Sequence, residues 1–156
     1  MPRRFFACLA ACLFLVLALA GRAQSPSEGL ELVRGFYAPG FTQIDMPLSR
    51  RLSELLDAAI ANNRKHDAPV TGLDFDWTVN AQDTVPGFET TLRFSELGRG
   101  ETGETVGVTF DNGRAEELHY ALTRENGRLV VDDISYLRPP ATSLSQMLRT
   151  GATETP

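Results

Sequence analysis

Apolar residues recur along this chain in two rhythms, and the change comes near residue 73. Before it, Leu30, Val33 and Phe36/Tyr37 fall at the spacing of one helical face, and Pro39-Gly40 ends the segment. Ser25-Pro26-Ser27-Glu28 predicts its start, with Ser25 as the cap, Pro26 at the first helical position and Glu28 closing a capping box. Leu48, Leu52, Leu55, Leu56, Ala59 and Ile60 form the apolar stripe of a second helix, with Arg50, Arg51, Glu54 and Asp57 off it. Asn62-Asn63 and the polar run to Pro69 close that helix.

From Leu73 the period becomes two. Leu73, Phe75, Trp77 and Val79 alternate with Asp74, Asp76 and Thr78, which predicts a short strand. After a turn at Pro86-Gly87, Phe88, Thr90, Leu92 and Phe94 alternate with polar residues, and Gly98–Gly103 reads as a flexible connection. Val106, Val108 and Phe110 run into Asn112-Gly113, and Leu118, Tyr120 and Leu122 run into Asn126-Gly127, followed by Leu129–Tyr136. Asn-Gly between alternating runs predicts hairpins, because both residues adopt positive φ at little cost. The last four strands therefore form an antiparallel meander. Beyond Pro139-Pro140, Ser143 caps a short amphipathic helix carrying Leu144, Met147 and Leu148, and residues 151–156 read as a disordered tail. Helices placed before an antiparallel sheet define the α+β class.

The first 23 residues change the picture of where this domain works. Arg3 and Arg4 precede the apolar run Phe5–Ala20, and Gly21-Arg22-Ala23 offers a small-residue cleavage site, with a cut after Ala20 as the alternative. This is the pattern of a secretory signal peptide and implies a periplasmic or secreted protein with no membrane span after cleavage. Leu9-Ala10-Ala11-Cys12 matches a lipoprotein box by letter, but a cut there leaves too short an apolar core before Cys12. Residues 24–150 then form a single α+β domain. Both cysteines, Cys8 and Cys12, lie in the leader, so the remainder has neither disulfide nor thiolate metal site. The full chain carries −5; removing three arginines and no acids with the leader leaves twelve basic residues against 20 acidic ones, a charge of −8. One lysine and no basic stripe argue against nucleic-acid binding.

Polar candidates cluster at Asp74, Asp76, Gln82 and Asp83, with Asp132-Asp133 on the last long strand. Adjacent carboxylates on one strand face repel, so they want bulk water, a hydrogen-bonding pocket or a cation. Those three readings stand side by side. A calcium loop beginning at Asp74 fails, because Val79 and Val85 occupy its glycine and glutamate positions. His66 and His119 are far apart, and there is no H-E-x-x-H. Asp74-Phe75-Asp76-Trp77-Thr78 matches the nucleophile motif of haloacid-dehalogenase phosphatases by letter, but the hairpins that follow are not the parallel units that chemistry needs.

Phe36-Tyr37, Leu48-Ser49-x-x-Leu52, Leu73-Asp74-Phe75-Asp76, Ala81-Gln82-Asp83 and Asn126-Gly127-Arg128-x-x-Val131-Asp132-Asp133-Ile134-x-Tyr136 together resemble domain-of-unknown-function family 3828. That group of exported bacterial proteins is placed in the nuclear-transport-factor-2-like (cystatin-like) superfamily. The likeness covers residues 28–149. It departs from the pattern at Trp77, where similar sequences usually carry Pro, and at Leu129, where they often carry Trp. The resemblance implies a cone, a curved antiparallel sheet wrapped around helices with a cavity at its mouth, and homodimerisation through the sheet. It carries no activity.

The expectation is a non-catalytic exported binding domain for a small ligand, an envelope component or a protein partner. Its ligand-binding candidates are Asp74, Asp76, Trp77, Gln82, Asp83, Asp133 and Tyr136; no catalytic residue, metal ligand or cofactor is assigned. The alternatives are a small acid–base enzyme, with Asp76 or Asp133 as base assisted by His119 or Tyr136, and an immunity or inhibitor protein. His119 separates the first two, according to whether it points into the cone or into water.

Overall fold

The computed structural model describes residues 26–66 and 71–154. The leader, Ser25 and Pro69 lie outside the described residues. Helix α1 (Glu28–Gly35) is followed by a 3-10 turn at Gln43–Asp45, helix α2 (Arg50–His66) and a second 3-10 turn at Phe88–Thr91. Strands β1 (Arg93–Arg99), β2 (Gly103–Asp111), β3 (Ala115–Glu125), β4 (Arg128–Tyr136) and β5 (Thr142–Ser143) come next, and helix α3 (Leu144–Thr153) ends the fold. The five strands form one open antiparallel sheet in the order β1-β2-β3-β4-β5. Three helices with this sheet make an α+β architecture.

The hairpins close where the Asn-Gly pairs stand. Asn126 and Gly127 have φ of 50° and 78°, the paired positive values of a two-residue connection. Alternation along β3 sends Leu118, Tyr120 and Leu122 into the core and leaves Glu117, His119 and Thr123 on the other face. Val106, Val108 and Phe110 of β2 and Val131, Ile134 and Tyr136 of β4 complete the buried face. Val33 and Phe36 of α1, Leu52 and Ala59 of α2, and Leu144 and Leu148 of α3 pack into the same core.

Each helix begins on a carboxylate supplied by the sheet. Glu104 of β2 accepts the Gly29 amide at 3.0 Å, and Glu125 of β3 accepts the Arg50 amide at 3.2 Å through both oxygens. Asp133 of β4 accepts the Ser145 amide at 2.9 Å and the Ser145 hydroxyl at 2.6 Å. These acceptors satisfy first-turn N–H groups that a helix cannot pair internally, at the positive end of its dipole. Ser27, Ser49 and Ser143 add side-chain caps to Leu30, Leu52 and Gln146.

Four expectations need correction. Ser27, not Ser25, caps α1. The 73–79 segment is not a strand: it folds as successive turns around Gly72 (φ 94°) and Asn80 (φ 53°), with a single bridge from Asp76 to Ala81. Phe88 lies in a 3-10 turn rather than a strand, because Gly87 at φ 84° turns the chain before β1 begins, and β1 then runs on through Gly98. At the C-terminus the helix continues to Thr153, where a frayed tail from 151 was expected. Gly151 is buried beneath the Thr71 carbonyl, and Glu154 binds the Thr71 amide at 2.6 Å and its hydroxyl at 2.8 Å.

Candidate functional site

The turn segment 72–80 is held against the core through its backbone. Gln43 accepts the Trp77 amide at 3.0 Å, and the Trp77 indole N–H donates to the Gly72 carbonyl at 3.0 Å. The Tyr136 hydroxyl donates to the Trp77 carbonyl at 3.2 Å, and Tyr37 donates to the Thr78 carbonyl at 2.8 Å. A phenol has one proton, so the 3.0 Å contact between Tyr37 and Tyr120 must be donated by Tyr120. Trp77 is therefore buried core, 3% exposed, and its indole is committed.

This hydroxyl chain is proton-locked. Desolvation by burial, reinforced by the neighbouring phenols and by Asp76, raises Tyr37 and Tyr136 well above the ordinary phenol value. Burial raises Tyr120 as well. All three stay neutral throughout the physiological range.

Asp76 stands at the surface end of this arrangement. Its Oδ1 accepts the Thr78 amide at 2.8 Å and the Thr78 hydroxyl at 2.7 Å, an Asx turn that fixes the carboxylate in one direction. Among the described residues no basic side chain forms an ion pair with it. Beside it opens a cleft of about 280 Å³, between the aromatic turn after α1 and the 76–89 segment. Phe36, Tyr37, Phe41 and Phe88 give it aromatic surface; Gln43, Asp76, Thr78 and Glu89 give it polar surface. Phe36 and Phe41 pack tilted at 34° with centroids 5.1 Å apart. A more open groove shares Phe41, Gln43 and Asp76 with the cleft and adds Asp74, Phe75 and Gln82, where the Gln82 side-chain amide donates to the Asp74 carbonyl at 3.2 Å. A wider open depression of about 600 Å³ lies at the β2–β3 hairpin end, against Thr109, Leu137 and Arg138, and contains none of the expected residues.

Asp74, Asp76 and Gln82 thus share one surface, with Asp76 lining both cleft and groove. The other four expected residues serve the fold. Trp77 and Tyr136 are buried beneath the site. Asp83 is exposed, and its carbonyl accepts the Asn112 side-chain amide at 3.0 Å, which ties the loop to the hairpin. Asp133 caps α3, as described above. Asp132 accepts Ser49 at 2.7 Å and forms a two-point ion pair with Arg51 at 3.1 and 3.0 Å. A bulge between Ala121 and Leu122 of β3 and their partners in β4 lets these adjacent aspartates serve two helices.

His119 lies on the open sheet face, opposite Gly107 and Ser135, and pairs with Glu117 at 3.0 Å. It points away from the core and from the cleft. The cleft residues absent from the expected set include Phe36, Tyr37, Phe41, Gln43, Phe88 and Glu89. The only sequence signal for any of them was Phe36-Tyr37 at a helix end. Among the described residues, no three His, Cys, Asp or Glu side chains gather closely enough to hold a metal ion. No described helix is long and apolar enough to cross a membrane. No protein-family model matches this chain, and no curated protein or solved structure matches it either.

Proposed function

We propose that this protein is an exported, non-catalytic binding domain that takes a small ligand into the cleft beside Asp76. One observation carries the reading: the carboxylate is held in a fixed direction by Thr78, without a basic partner among the described residues, at the rim of an aromatic-walled cleft. Its volume is at the small end of ligand pockets, roughly 300–1,000 Å³, and its mix of apolar wall and few polar groups is typical of them. The floor beneath is saturated: among the described residues no buried side-chain polar atom lacks a hydrogen-bond partner. A rigid, satisfied floor under open polar groups suits binding by a preorganised site.

The acid–base alternative needs Asp76 or Asp133 beside His119 or Tyr136. His119 is on the opposite sheet face, Asp133 is spent on a helix cap, and burial holds Tyr136 protonated. The cone and its family remain the reading from the sequence; a sheet with helices on one face and a cleft beside α1 supports them. The leader pattern supports export.

Native mass spectrometry of the purified protein, before and after chelator, tests the reading. A bound organic mass is expected, retained through chelation and lost in Asp76→Ala. Asp133→Ala should keep the bound mass while losing about 1 kcal/mol of stability as a cap deletion. A clean unliganded mass from native source would count against a resident ligand, and equal loss in both variants would deny Asp76 its special place.

A further inference from the structure

We infer that the cleft is built for a small organic cation, an ammonium group carried on a compact apolar body; the inference rests on the cleft being a binding site at all. The charge inventory of its walls is one-sided. Asp76 and Glu89 bring two carboxylates, and none of the lining residues is Lys, Arg or His. Neither carboxylate has an ion-pair partner among the described residues. Arg34, two residues before Phe36, is paired with Glu31 at 2.8 Å, and Arg93, four residues after Glu89, turns its guanidinium to the Thr90 and Leu92 carbonyls.

The apolar walls fit the same ligand. Phe36, Tyr37, Phe41 and Phe88 present aromatic rings, whose faces carry the negative end of a quadrupole and attract cations that have shed water. An anion would meet two carboxylates and no cationic side chain among the lining residues. A neutral apolar ligand would leave Asp76 facing it without a donor. The Thr78 hydroxyl already donates to Asp76 Oδ1, so it offers no donor to an anion. The hydroxyl of Tyr37 is likewise used on the Thr78 carbonyl. The Gln43 side-chain amide, whose oxygen holds the Trp77 N–H, and the Thr84 hydroxyl at the rim keep donors to spare, and two neutral groups do not reverse the sign of the cleft.

Three probes of one shape and different charge test this: choline, its neutral isostere 3,3-dimethylbutan-1-ol, and the anion 3,3-dimethylbutanoate. Each is titrated into the purified protein while the amide resonances of Thr78, Phe88 and Glu89 are followed by NMR. Choline should move these amides and bind about tenfold tighter than the alcohol, with no response to the anion. In an Asp76→Asn/Glu89→Gln double variant that preference should vanish. The Asp76→Asn change keeps a side-chain oxygen to accept the Thr78 amide and hydroxyl, so the loop stays folded. Equal or tighter binding of the alcohol or the anion would overturn the cation assignment and leave the binding reading intact. A preference that survives in the double variant would overturn it too. Silence from all three probes at millimolar concentration would overturn the cation assignment and count against the cleft as a binding site.

Discussion

Asp132 and Asp133 stand side by side in β4 yet serve different helices, Asp132 clasping Arg51 of α2 and its capping residue Ser49, and Asp133 capping α3. Partial burial pushes the Asp132 carboxyl up. The hydrogen bonds from Arg51 and Ser49 and the Arg51 charge outweigh it, so the group sits below its ordinary value. A depressed carboxylate contributes stability that is complete above its unfolded-state pKa, about 4. It is lost as pH falls from there through the lower folded value. The side chains are 42% and 35% exposed, so the contribution is of order 1 kcal/mol or less. Urea midpoints measured from pH 6 down to pH 2 should fall less steeply for Asp132→Asn than for the native protein. Parallel pH profiles would show that the pair does not contribute.

At the scale of elements, one substitution made twice in α1 should have opposite signs. A Cβ on Gly29 would lie 2.6 Å from Glu104 Oε2 and 2.7 Å from Leu122 Cδ1, so the capping carboxylate and a buried leucine must both move. Overpacking of that kind costs about 1–3 kcal/mol, against a helix-propensity gain of about 1. Gly29→Ala should therefore lose about 1 kcal/mol. A Cβ on Gly35 would meet nothing within 4 Å, and Gly35→Ala should gain about 0.5 kcal/mol. Chemical denaturation of both variants decides it; a stabilised Gly29→Ala would mean that Glu104 relaxes freely.

Local signals carried the elements that local chemistry determines. Asn126-Gly127 and Ser143 work where they stand, because a two-residue turn and a helix cap need only their own neighbours. The 73–79 alternation misled for a physical reason: burying every second residue is also met by successive turns pinned from outside. Gln43, Tyr37 and Tyr136 do that pinning, across 34, 41 and 59 residues. The cleft was hidden by the same distances. Asp76 was visible as a polar position, whereas its aromatic walls come from 36–41 and 88, and nothing local joins them.

For the whole molecule, the sheet-borne caps and the shared core tie every helix to the sheet, so the protein should unfold as one unit. Trp77 is the only tryptophan and is buried at the centre of the pinned loop. Its fluorescence and the far-UV ellipticity should therefore change at the same urea midpoint. Ellipticity lost well before the fluorescence shift would show helices melting from an intact sheet.

The caps also set a timetable. Glu104 lies 75 residues after Gly29, and Glu125 lies 75 residues after Arg50. At roughly 5–20 residues per second, synthesis delivers each acceptor about 4–15 s after the helix start it serves. Throughout that interval the apolar stripes of α1 and α2 have been made and the strands that cover them have not. The first two helices thus wait for their caps, whereas α3 follows its own acceptor Asp133, and the nascent chain offers the bare faces of α1 and α2 to whatever holds unfolded segments.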